Sequence, residues 1–241
     1  MTVTLQYLRT VAPNWVAIQS QSSTKLEILA TPLRAGGENA RTYRLTVSTS
    51  VGGALAVRED SQAAILPSSC PERHVNPDGS FCLGLYAGEG VADLDAAVRW
   101  WRKLELYLEC QEVAFGTGQW PTYAQLSHGS AGEIELQAEH LATKLGLIAD
   151  YQRGVRFGKG FIAQAAGTFH SFGKLLNGRS PCVCGYKNKS GKVLLRRECA
   201  GVEEVGCIVR QEVRRRKAVS AFWKSFVGTK CCGTMKDCPL K

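Results

Sequence analysis

The chain has 241 residues, 44% of them hydrophobic and 21% charged, which suits one large or two modest soluble domains and excludes a disordered or fibrous chain. No run of about 18 apolar residues occurs, so neither a spanning helix nor a membrane partner is expected; the opening MTVTLQYLRTVAPNW lacks the basic start and apolar core of a signal peptide, and a cytoplasmic protein is expected. The net charge of +9 hides a split, with 11 Lys and Arg against 16 Asp and Glu in residues 1–150 but 19 against 5 in residues 151–241, so two parts with different partners are expected, dividing near residue 150.

In chain order, KLEILATPL (25–33) alternates in polarity, a loop RAGGENAR (34–41) follows, and YRLTVSTSV (43–51) is rich in β-branched residues. After Gly52-Gly53 come ALAVRE (54–59) and the apolar burst AAILP (63–67). These segments predict three or four short strands in an antiparallel meander. Pro67, Pro71 and Pro77 make residues 67–79 irregular, because proline cannot donate to a ladder. Asp93 or Asp95 can cap a helix through LDAAVRWWRKLELYLEC, whose apolar face is Leu94, Val98, Trp101, Leu104 and Leu108, widened by Trp100 and Tyr107. FGTGQWP breaks it, and a second helix is predicted over 133–150, with Ile134, Leu136, Leu141, Leu145 and Ile148 inside. Residues 151–174 are Gly-rich and basic without a clear period, and residues 208–226 regain helical periodicity.

Between the strands and the first helix lies ERHVNPDGSFCL (72–83), where Cys82 follows the Asp78-Gly79 turn pair by three residues. Strands, an irregular stretch, a turn, a cysteine and then a helix: this order resembles the ubiquitin-conjugating (UBC-fold) family over about residues 20–130, especially its bacterial members in ubiquitin-like conjugation and antiviral-defence operons. The family's usual motif is His-Pro-Asn, a few residues, Asn-Gly, two residues, then Cys-Leu. Here the Gly79-to-Cys82 spacing and the Cys82-Leu83 pair match. Asn76 stands six residues before the cysteine where the family's Asn stands eight before it, His74 takes the eight-residue spacing, and Pro77 follows the asparagine.

The resemblance implies an α+β fold, with a UBC-like antiparallel meander and helices over 1–150, and it implies transthiolation. Cys82 would receive the C-terminal carboxyl of a ubiquitin-like protein from an activating enzyme and lose it to an amine of a protein substrate. A thiolate is both a good nucleophile and a good leaving group. Asn76 or His74 would steady the oxyanion, and losing such a donor typically costs ~10²–10³ in rate. The residues alone also allow Cys82 to be a buried small hydrophobe. His128, in the polar loop QLSHGSAGE, is either a general base or orienting group near Cys82 or a histidine stabilising its own turn. Cys70 is either a packing residue or a second thiol near the site, and Cys110, His140 and His170 read as structural. A non-catalytic UBC-like adaptor and a Cys-His hydrolase using Cys82 and His128 are the other functions these residues allow.

Seven of the ten cysteines fall in the last 60 residues. Without a secretion signal such a cluster favours metal over disulfides. Cys182 and Cys184 form one group, Cys231, Cys232 and Cys238 a second, and the two brought together would offer tetrahedral sulfur coordination to a structural zinc, with Cys199 and Cys207 as competing ligands. Free thiols are the alternative. The basic block Arg214–Lys217, with Phe222 and Trp223 nearby, could contact nucleic acid, hold an acidic patch on a protein partner, or be a solvated helix face. Residues 151–241 are thus expected to be a basic, cysteine-rich, zinc-binding region.

Overall fold

The computed structural model describes residues 2–33, 40–50, 53–87, 91–168 and 177–241. Most of the loop expected at 34–41, the Val51-Gly52 end of the third segment, and His170 lie outside them. The chain divides into two compact units, Met1–Gln125 with Gly228–Lys241, and Leu126–Val227.

The first unit is α+β. Helix α1 (Val3–Thr10) precedes a four-stranded antiparallel meander, β1 (Val16–Gln21), β2 (Lys25–Ala30), β3 (Tyr43–Thr49) and β4 (Leu55–Glu59), whose spatial order follows the sequence. Period-two alternation puts Leu26, Ile28 and Ala30 on one face opposite Val47, Leu45 and Tyr43, with Val57 beside Val47, and all seven are buried. β1 was not legible because it is an edge strand, and VAIQSQ buries no residue fully. AAILP is a loop and not a strand. The Glu59 carboxylate accepts the N–H groups of Ile65 (3.0 Å) and Leu66 (2.9 Å), curling the segment back so that Leu66 is buried and Ile65 exposed.

Helix α2 (Leu94–Thr117) closes this face, capped by Asp93, whose side chain accepts from Ala96 N at 2.6 Å, and ended by Gly118 in the left-handed region. Trp100, Trp101, Leu104, Tyr107 and Leu108 of the expected face are buried, while Leu94 at its first turn is exposed and Val98 half-buried. Each indole removes roughly 150–250 Å² from water, about 4–6 kcal/mol by area, so the two tryptophans anchor that face. Trp101 Nε1 also donates to Leu8 O (2.9 Å), tying α1 to α2.

The second unit is helical. It holds α3 (Ser130–Lys144), α4 (Ile148–Phe157), α5 (Phe161–Gly167) and α6 (Val202–Lys224). The helix expected over 133–150 is therefore two, broken at Leu145–Leu147, where Gly146 has φ 68°. Its buried face is Ala131, Ala138 and Ala142, not Leu136, which is exposed, because α3 packs along α6 and small residues let the backbones approach. Ala138 and Ala142 share a core with Val205, Ile208 and Val209. This packing is why the units part at 125/126 and not near 150: charge changes sign along the sequence there, but apolar contact commits α3 to α6. No helix among the described residues is long and apolar enough to cross a membrane.

Candidate active site

The loop carrying Cys82 is built by local hydrogen bonds and fastened to β4 and α2. Pro71–Arg73 form one 3₁₀ turn, and His74 follows it with φ 54°. Cys70 and Val75 then exchange both backbone bonds (Cys70 N to Val75 O 2.9 Å, Val75 N to Cys70 O 3.0 Å). Asn76 to Gly79 close a turn (Gly79 N to Asn76 O 2.9 Å), with Gly79 at φ 79°, a conformation glycine adopts without cost. Asp78 accepts from the Ser80 hydroxyl (2.6 Å) and backbone N–H (3.0 Å) and pairs with Arg58 of β4. Those bonds, the Ser80 hydroxyl first, hold its carboxyl below the usual range.

Past the turn, Phe81 N donates to Val57 O (2.8 Å) and the Phe81 ring stacks on Tyr107 of α2 at 4.7 Å. Cys82 N donates to His74 O (2.8 Å). The Tyr107 hydroxyl donates to the carbonyls of Arg73 and His74, both at 3.3 Å, and burial pushes its phenol far up, so it stays a donor. The thiol of Cys82 is exposed while its neighbour Phe81 is buried. The result is a thiol-bearing side chain held out to solvent on a backbone fixed from below.

The expected partners fall as follows. His74 is bonded to Cys82 through its carbonyl, and its ring lies against Trp120, 4.7 Å between centroids. Asn76 is exposed, and its amide Nδ2 donates to Ser80 Oγ (3.0 Å) within the turn. His128 belongs to the second unit, where its ring stacks on Phe222 (4.9 Å) and meets Trp223 edge-on. Burial lowers its pKa to about 4, so it is neutral at pH 7. A folded-state pKa below the unfolded value means that the unfolded chain binds more protons, so stability is present above about pH 6.5 and lost as pH falls towards 4. With the ring still partly exposed, that window is worth about 1–3 kcal/mol. Thermal melts from pH 7 to 4.5 are expected to show this loss in the wild type and most of it removed in His128→Phe, which keeps the stacking.

The cysteines expected to ligate metal divide between the units. In the second unit the sulfurs of Cys182, Cys184 and Cys199 lie within 4.8 Å of one another. Cys184 Sγ is 3.1 Å from Cys182 and 3.2 Å from Cys199. Burial pushes the Cys182 thiol up to about 12. For Cys184 burial is outweighed by the backbone N–H of Tyr186 and the two neighbouring thiols, which bring it below the usual range. Three soft sulfur donors at this spacing fit three corners of a tetrahedral site. Cys199 thus joins Cys182 and Cys184, whereas Cys207, on α6, receives a hydrogen bond from Arg210 Nη2 (2.7 Å). Cys231, Cys232 and Cys238 sit in the first unit with Cys70, and Cys232 Sγ lies 2.8 Å from Cys70 Sγ. Sequence reading gave Cys70 a packing role or a place near Cys82; the one signal was the Cys-Pro pair it shares with Cys238.

The basic block is partly consumed inside its own unit. Arg215 is buried on Glu212 (2.7 and 2.9 Å), and Arg216 donates to Glu212 (2.7 Å) and to Ala163 O (3.1 Å). Arg214 and Lys217 remain exposed, too few to make a phosphate-binding stripe of the block.

Residues 15–122 match the family described as "Prokaryotic E2 domain", and residues 127–240 match "Cysteine-rich domain, C-terminal to E2 domain". No curated protein and no solved structure matches the chain. The two matches follow one another along the chain in the order of a prokaryotic E2 domain and the cysteine-rich domain found C-terminal to E2 domains.

Proposed function

We propose that this protein accepts a ubiquitin-like protein as a thioester on Cys82 from an activating enzyme and transfers it to an amine of a protein substrate. The observation that carries the reading is the exposed Cys82 thiol on a loop pinned to β4 and α2, inside the stretch that matches an E2 domain. In the first step the Cys82 thiolate attacks the activating enzyme's thioester carbonyl, a new S–C bond forms, and the enzyme's own thiolate leaves. In the second step the amine attacks the same carbonyl, the Cys82 thiolate leaves, and the amine loses a proton as the amide forms. Both pass through a tetrahedral oxyanion. We assign its donor to Asn76: the side chain is exposed, Ser80 orients the amide, and an amide carries two N–H groups, of which Ser80 takes one. His74, with its ring on Trp120, shapes the loop.

The trio Cys182, Cys184 and Cys199 would hold a structural zinc, supplying cohesion to a helical unit with a small core. A reducing cytoplasm suits these free thiols, and the gene is expected beside those for an activating enzyme and a ubiquitin-like protein, as in bacterial conjugation and defence operons.

The test is a charging assay. The protein, that activating enzyme, the ubiquitin-like protein and ATP are combined and resolved on a non-reducing gel. A thiol-sensitive adduct of one ubiquitin-like protein per chain is expected. A charged activating enzyme beside uncharged protein would sink the proposal.

A further inference from the structure

We infer that Cys70, Cys231, Cys232 and Cys238 form a second metal site, a tetrathiolate zinc centre that staples the C-terminal tail to the loop carrying Cys82.

The tail needs such a staple. Residues 229–241 form no helix or strand, yet Met235 and Cys238 are buried in the core of the first unit. Two hydrogen bonds beside α2 hold it: Lys236 N to Gly118 O (2.8 Å) and Gln119 Nε2 to Asp237 Oδ2 (2.8 Å). Two such bonds contribute far less than the conformational entropy lost in ordering a dozen residues. A metal closing the long loop between Cys70 and Cys232 supplies the difference.

The sulfurs gather in one core. Cys70 and Cys232 are in contact at 2.8 Å, and Cys231 and Cys238 belong to the same packed cluster. A Zn–S bond of about 2.3 Å requires sulfurs about 3.8 Å apart, so binding opens the first pair by about 1 Å. Cys231 Sγ accepts the Gly233 N–H (3.4 Å) and Cys232 Sγ lies 3.2 Å from the Thr234 hydroxyl, contacts of the kind that orient a metal-bound sulfur.

A buried cation independently separates metal from disulfide. Arg73 is 1% exposed. Its Nη2 donates to Gln111 O (3.3 Å), its guanidinium lies 4.1 Å from the Phe115 ring centre, and its Nε has no hydrogen-bond partner. Among the described residues no carboxylate pairs with it, and Cys70, in contact with Cys232, stands at the head of the turn that carries it. A buried charge without a counter-charge is strongly destabilising. Four thiols losing four protons to one Zn²⁺ leave a centre of net charge −2, which supplies the counter-charge, whereas a Cys70–Cys232 disulfide is neutral and does not. The consequence reaches the active site, because Cys70 is paired to Val75 and Val75 to Phe81, next to Cys82.

Native mass spectrometry and elemental analysis of the full wild-type chain, purified without chelator, test this. About two zinc ions per chain are expected, with about one left in Cys231→Ser/Cys238→Ser and about one in Cys184→Ser/Cys199→Ser. Zinc content unchanged by Cys231→Ser/Cys238→Ser overturns the second site; content unchanged by Cys184→Ser/Cys199→Ser overturns only the trio. In wild type alone, whatever the variants' folding, a Cys70–Cys232 cross-link in peptides alkylated without reduction overturns the site, and protection of all four thiols until chelator is added supports it.

Discussion

Cys82→Ser is expected to turn the thiol-sensitive adduct into an ester that survives reducing agent, and Cys82→Ala to abolish it, with both variants melting within about 0.5 kcal/mol of wild type because the side chain is exposed. The nine other thiols include several in mutual contact, so a thiol-sensitive adduct alone does not single out Cys82; persistence as an ester in the serine variant does. Asn76→Ala tests the second half of the chemistry. If its amide steadies the oxyanion, discharge to free lysine slows by ~10²–10³, while the Asn76 backbone bonds to Ser80 and Gly79 keep the turn intact. His74→Gln keeps the carbonyl that receives Cys82 N–H but removes the ring on Trp120, and a small loss of stability with near-normal discharge is expected. A wild-type rate in Asn76→Ala and a hundredfold loss in His74→Gln would move the donor role to His74.

The first unit was the more legible half because its signals are local. Period-two alternation in β2 and β3 needs only the strand itself, and the Asp93 cap and Gly118 stop are set by single residues. What sequence missed there depends on partners far along the chain. β1 is a strand because β2 offers an edge, and AAILP is a loop because Glu59 curls it. In the second unit the hydrophobic period misled, since a close helix pair selects alanines over leucines for its seam. The cysteines teach the same lesson. Proximity in sequence grouped Cys231, Cys232 and Cys238, but Cys70, the thiol that touches Cys232, is 161 residues before Cys231, and no local rule reaches it.

The largest stability effect is expected at Glu212. Its side chain is 1% exposed and accepts two bonds from Arg215 and one from Arg216, while Arg215 Nη1 donates to Ser127 Oγ (2.8 Å) and Ser127 N to Glu135 (3.0 Å). The chain of charges joins α3 to α6 and, through Arg216 and Ala163, to α5. Glu212→Ala leaves the Arg215 guanidinium buried without its carboxylate, and removing one member of a buried pair costs about 3–5 kcal/mol. At roughly 4–8 °C per kcal/mol for a unit of this size, its melting transition should fall by more than about 12 °C. Glu212→Gln keeps an acceptor and the shape and should lose less. The deciding variant is Glu212→Leu/Arg215→Met, which removes both charges and restores apolar volume. Recovery of most of the stability would show that the penalty lies in the orphaned arginine; a double variant as unstable as Glu212→Ala would place it in the bonds to Arg216 and Ser127.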